Sequence, residues 1–148
     1  MRQSILRYFI SLLLVSLCIC SATSIFIISG SMKEDSEREM MYSVKLIEYN
    51  LDYSGDLNKQ IETLNPLAFS DDTRISVIDE KGKVLADTYK DDISSNHIKR
   101  EEVQEALHSS NHEGYAMRRS ETTNQTLLYA AYYKDTHIIR LSIPYSGV

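Results

Sequence analysis

Arg100, Arg118 and Arg119, with Asp87, His97 and Tyr129, are the side chains of this sequence best suited to holding a small molecule. A guanidinium is a planar fork of donors that matches a carboxylate or a phosphate. The patterns that would break bonds are missing. The five glycines, Gly30, Gly55, Gly82, Gly114 and Gly147, are scattered and form no phosphate loop. His108 and His112 stand four apart, but Asn111 and Gly114 end the helix that would align them, and His97 and His137 add no ligand spacing. His112-Glu113 lies in a turn rather than on a phosphoacceptor helix. Asp71-Asp72 and Asp91-Asp92 could meet calcium, yet paired acids in loops are ordinarily just solvated. There is no G-x-S-x-G nucleophile elbow. These residues therefore read as a recognition surface, with no catalytic residues, no metal and no cofactor.

Two uses of Arg118 follow from its type. It either binds an anionic ligand or pairs with Asp87 or Glu102 and pins a helix onto a sheet. Tyr129, Tyr132 and Tyr133 read first as half-buried sheet residues.

The elements that must position these side chains are legible from periodicity. Met40, Val44, Ile47 and Leu51 recur at steps of four, three and four, which places one apolar stripe on a helix face. That stripe can dock on the domain's own sheet or pack against its twin in a homodimer. Ser54-Gly55-Asp56 stops and restarts the chain, with Asp56 as the N-cap of a short helix, Leu57–Leu64. The period then falls to two. Arg74–Asp79 and Lys83–Asp87 form a hairpin around Glu80-Lys81-Gly82. A loop through Asp91–Asn96 leads to a crossover helix, Arg100–His108. Strands at Tyr115–Glu121 and Thr126–Tyr133 follow, turning at Thr122-Thr123-Asn124. In the last strand Ile139, Leu141 and Ile143 alternate with Arg140 and Ser142, the sign of one buried and one wet face. The sum is an α+β domain: a five-stranded antiparallel sheet with flanking helices on one face.

Charge is unevenly divided. The chain carries 16 basic and 21 acidic side chains, yet its first 29 residues hold two arginines, Arg2 and Arg7, and no acid. The remainder is net negative and a poor binder of nucleic acid. Both cysteines, Cys18 and Cys20, fall in the apolar segment, so the polar part has no disulfide framework. Tyr8–Ser29 runs 22 residues without a formal charge. As a helix it spans about 33 Å, enough to cross the hydrocarbon layer. The two arginines before it and the acids after Lys33 place the N-terminus in the cytoplasm and the chain from about Gly30 outside. A cleaved secretory signal is the rival, and it too leaves the polar domain outside. The expected division is a cytoplasmic end at 1–7, a membrane helix at 8–29, a juxtamembrane helix at 30–53 and an extracytoplasmic domain at 54–148.

In order, R-I-S-V-I-D-E-K-G-K-V-L-A-D-T (Arg74–Thr88), H-I-K-R-E-E-V-Q-E-A-L (His97–Leu107), G-Y-A-M-R-R-S-E-T (Gly114–Thr122), L-L-Y-A-A (Leu127–Ala131) and I-I-R-L-S-I-P (Ile138–Pro144) resemble the extracytoplasmic PAS-like (PDC, single Cache) sensor segment of PhoR/WalK-like membrane sensor histidine kinases of Gram-positive bacteria. The resemblance covers about Arg74 to Pro144 and matches Arg118 to the arginine of the family's G-x-x-x-R-x-S; Arg119 has no counterpart. It implies a pocket between the sheet and the crossover. Arg118, Arg100, Asp87, His97 and Tyr129 would face a small anionic ligand or an envelope protein there. It also implies a homodimer in which the Met40–Leu51 stripe transmits the signal. The family would continue past Val148 into a second membrane helix and a kinase core, so these residues read as the sensor half of a two-component receptor.

Overall fold

The structure is a computed structural model that describes residues 2–65, 72–89, 95–120 and 124–145. The expected loop through Asp91–Asp92, the Asp71 half of Asp71-Asp72 and the Thr122-Thr123 turn lie outside the described residues. The chain divides into two units, one ending at Asp35 and the other beginning at Ser36.

Helix α1 runs Arg2–Asn50. Within the first unit the side chains of residues 8–28 are exposed. The embedded hydroxyls bond back to helix carbonyls: Ser11 Oγ donates to Tyr8 O at 2.9 Å, and Thr23 Oγ1 to Cys20 O at 2.9 Å. The helix is long and apolar enough to cross a bilayer. So large a contiguous apolar surface needs a non-aqueous cover.

The second unit is built on five strands: β1 (Arg74–Asp79), β2 (Val84–Asp87), β3 (Glu113–Arg119), β4 (Thr126–Lys134) and β5 (His137–Pro144). Their order is β2-β1-β5-β4-β3, with every neighbour antiparallel. Gly82 closes the β1–β2 hairpin at φ 82°, and a Cβ there would lie 2.3 Å from Ile98 N. Asp79 Oδ1 accepts from the amides of Lys81 and Lys83 at 2.9 and 2.8 Å, which fixes the turn without a side chain at Gly82.

Both faces of the sheet are covered, not one. On the first, Met40, Met41, Val44 and Ile47 of α1 and Ile61 of α2 (Leu57–Leu64) pack with Ile75, Val77, Ala86, Leu128, Ala130, Ile139, Leu141 and Ile143. The α1 stripe therefore docks on its own sheet, with Leu51 half-buried at its end. Full burial of such side chains stabilises by about 1.5–3 kcal/mol each. Asp56 caps α2 as its residue type requires, accepting from Lys59 N at 3.3 Å.

On the second face, Val103 and Ala106 of α3 (Glu101–His108) pack with Ile78, Val84, Ala131 and Ile138. This corrects the expectation that Arg140 and Ser142 face water: both are buried, because α3 closes over their side of β5. The approach is close because the sheet is bare beneath the helix. Gly114 stands opposite Ala131, and a Cβ at Gly114 would lie 2.0 Å from Glu102 O and 2.6 Å from Ala106 N, both backbone atoms that cannot swing aside. Gly114→Ala is expected to lift α3 and cost about 1–3 kcal/mol. Chemical denaturation measures it, and an unchanged midpoint would show that α3 does not sit so near.

Candidate functional site

Antiparallel register lines up one row across the second face. Asp87 of β2 is opposite Ser76 of β1, Ser76 is opposite Arg140 of β5, and Arg140 is opposite Ala131 of β4. One pair further along, Arg74 is opposite Ser142, and Ser142 is opposite Tyr129. Beyond them Arg118 rises from β3, and Glu102 comes down from α3.

The row is joined by charge. Arg74 donates to Asp87 through Nε and Nη2, both at 2.9 Å, and Ser76 Oγ donates to Asp87 Oδ2 at 2.8 Å. Arg140 Nη2 donates to Ser76 Oγ at 2.9 Å, and its Nη1 lies 3.5 Å from Glu102 Oε1. Arg118 clasps Glu102 with both ends of its fork, Nη1 to Oε2 at 2.5 Å and Nη2 to Oε1 at 2.9 Å. Its guanidinium lies 3.6 Å from the centre of the Tyr129 ring, where the π-face favours a cation.

Burial governs how these groups ionise. Taking Glu102 out of water would push its carboxyl up. The hydrogen bonds and charge of Arg118, with the charge of Arg140, outweigh that and hold it below the ordinary glutamate value. Burial would lower Arg118, but Glu102 raises it further. Arg140 is lowered, first by burial and then by the charge of Arg74, against the pull of Glu102 and Asp87. Arg140 is 3% exposed, and its Nε is buried without a hydrogen-bond partner.

Of the residues singled out from sequence, Arg118, Tyr129 and Asp87 belong to this connected cluster. Arg118 takes Glu102 as its partner; Asp87 takes Arg74. His97 is buried, with Nε2 2.6 Å from Ser95 Oγ and its amide donating to Gly82 O at 2.7 Å, so it ties the start of the crossover to the hairpin. Arg100 is exposed at the N-cap of α3. Arg140, Ser76 and Arg74 were not singled out. Arg140 and Ser142 do interrupt an apolar strand, but that pattern marks a wet face unless something covers it. Among the described residues no three metal-ligating side chains come together.

No family model matches the chain. No curated protein matches it either. Solved structures do. The Bacillus subtilis YkuI protein, which has an EAL domain, shares 17% identity at a TM-score of 0.59 over 86% of this chain and 36% of that one. A methyl-accepting chemotaxis protein from Vibrio parahaemolyticus shares 15% at 0.56, over 82% of this chain and 96% of its own. The ligand-binding domain of the Campylobacter jejuni chemoreceptor Tlp3, in complex with L-norvaline, shares 19% at 0.55, over 82% and 56%. The present chain thus spans about a third of YkuI and just over half of the Tlp3 domain chain. What is shared at these identities is the fold, a long N-terminal helix followed by an antiparallel sheet with flanking helices.

The sign of the acid response follows from Glu102. A depressed carboxyl contributes stability that is complete above its unfolded value, near 4.5, and is lost as pH falls through the lower folded value. Glu102→Gln leaves Arg118 and Arg140 uncompensated, and is expected to cost about 3–5 kcal/mol at neutral pH. The gap between wild type and variant should narrow as pH drops below that point. Urea unfolding at a series of pH values checks it, and a gap independent of pH would remove Glu102 as the controlling charge.

Proposed function

We propose that this chain is the extracytoplasmic sensing part of a membrane receptor, anchored by Tyr8–Ser29, that recognises a small anion on the second face of its sheet. The observation that carries this reading is Arg140. Arg140 is buried beside Ser76 and Glu102, and its Nε is buried without a hydrogen-bond partner. A buried unsatisfied donor on a guanidinium favours an incoming carboxylate. The likeness in fold to a chemoreceptor domain solved with L-norvaline, an amino acid, supports the same ligand class.

An arriving carboxylate would compete with Glu102 for the forks of Arg118 and Arg140. Glu102 belongs to α3, so exchange at the arginines would loosen or reseat that helix. Arg140 and its neighbours Ile139 and Leu141 point to opposite faces of β5, the latter two against the α1 stripe. A shift of β5 would therefore reach α1, and only a difference in ligand affinity between two arrangements can drive it. Output through a PhoR/WalK-like histidine kinase beyond Val148 is part of the proposal. Two other readings separate cleanly. A tethered module that binds an envelope protein would show no response to metabolites. A secreted enzyme would show a mature N-terminus beyond the apolar run.

The test is thermal unfolding of the detergent-solubilised chain with α-amino acids, dicarboxylates and inorganic phosphate. A ligand at a hundredfold its Kd adds about 2.7 kcal/mol and raises the melting temperature. Stabilisation by a carboxylate set that spares neutral analogues is expected; no shift with any anion would sink the ligand class.

A further inference from the structure

Met41, Val44 and Ile47 are buried against the sheet at steps of three along α1. A slide of α1 by three residues would therefore set one apolar side chain into the place of the next. Such a slide is about 4.5 Å along the axis with a turn of about 60°. An apolar stripe of this period holds the helix down but does not by itself fix where along the sheet it stops.

Charge does. Lys45 and Glu48, on the margin of the stripe, are also three residues apart, and they are opposite in sign. Lys45 Nζ lies 2.5 Å from Glu113 Oε1 at the start of β3, and 5.1 Å from the centre of the Tyr132 ring. Glu48 Oε2 accepts from Lys134 Nζ, at the end of β4, at 2.9 Å. Glu113 is itself steadied by Asn111 Nδ2 and the Tyr115 hydroxyl, each donating to its Oε2 at 3.1 Å. A slide toward the N-terminal end brings Glu48 to the place of Lys45, against Glu113 and the π-face of Tyr132, which favours a cation. A slide the other way brings Lys45 to the place of Glu48, against Lys134. Both directions set like charges together.

We propose that the Lys45–Glu113 and Glu48–Lys134 pairs lock α1 into one register on the sheet. Tilting, and turning in place, are then the motions by which this helix answers a change in the domain; a slide of one turn is barred. Half-exposed lysine pairs stabilise little in themselves. Their part here is to separate registers that the apolar stripe leaves alike, and a repulsive contact in the wrong state does that. No ligand enters the lock, and it is independent of what the second face of the sheet receives.

The test measures spin–spin distances in the detergent-solubilised 148-residue chain, in a Cys18→Ser, Cys20→Ser background diluted with unlabelled chain. One nitroxide is placed at Tyr49→Cys on the exposed side of α1. The other is placed in turn at Lys81→Cys in the β1–β2 turn and at Met117→Cys on β3, both exposed. Exchanging the helix charges, Lys45→Glu with Glu48→Lys, makes the native register repulsive at both contacts and each slid register attractive at one. At least one distance is expected to move by several ångström, up to about 4.5 Å. Adding Glu113→Lys and Lys134→Glu should bring both distances back, a rescue that misfolding would not produce. Wild-type distances in the helix-exchanged chain overturn the lock. Where that chain loses its fold and gives only broad distances, the fourfold variant decides. Recovery of the wild-type distances supports the lock, and failure to recover them overturns it in either case.

Discussion

A carboxylate with no access to water sits at the junction of helix and sheet, and its position constrains everything on that side of the domain. Glu102 is fully buried, and the forks of Arg118 and the nearby Arg140 are what keep it ionised there. An isolated charge in that place would cost several kcal/mol and would neutralise or leave. The small residues Gly114 and Ala131 let α3 come close enough for Glu102 to reach both arginines. Tyr129 then floors the arrangement with its ring. Removing any one part leaves the others with charge they cannot discharge. The geometry is specified by electrostatic necessity as much as by packing.

The two faces of the sheet divide the labour. The face toward α1 and α2 is apolar throughout its buried cluster, and its stability is a matter of area. The face toward α3 is apolar only where Val103 and Ala106 touch down. The rest of it holds Arg74, Ser76, Asp87, Arg140 and Ser142. Charged rows of that kind stabilise little compared with the hydrophobic residues that could replace them. The proposed recognition role gives a use to such a row on a sheet that already has an apolar core on its other side.

Local chemistry was largely readable in advance. Asp56 at a helix start, Gly82 at a hairpin, and the alternation through β1 and β5 each dictate their element by short-range rules, and the elements stand where those rules put them. What could not be read was which side of a strand would be covered. Arg140 and Ser142 have the types of a wet face, and only the path of α3 across Gly114 makes them buried. Arg118 had two candidate partners in the sequence, and the choice of Glu102 over Asp87 depends on strand order. Arg74 stands next to Asp87 because β1 pairs β2, while Arg118 is four strands away from β2 at the far edge. Tertiary adjacency of this sort carries no mark in local composition.

Strand β5 is where these separate facts become one mechanism. It is central in the order and pairs with β1 on one side and β4 on the other. Its residues alternate between the charged row and the apolar stack under α1, so no rotation or slide of this strand can alter one face alone. Arg140 cannot change partners without disturbing Ile139 and Leu141 on either side of it. Those two belong to the cluster that holds Met40, Val44 and Ile47 of α1. Packed cores respond to such displacements by switching between discrete arrangements rather than by yielding continuously. In the proposed receptor, a charge exchanged on one side of the sheet would therefore be converted into a choice of helix seating on the other. The conversion needs no motion larger than the reseating of one strand.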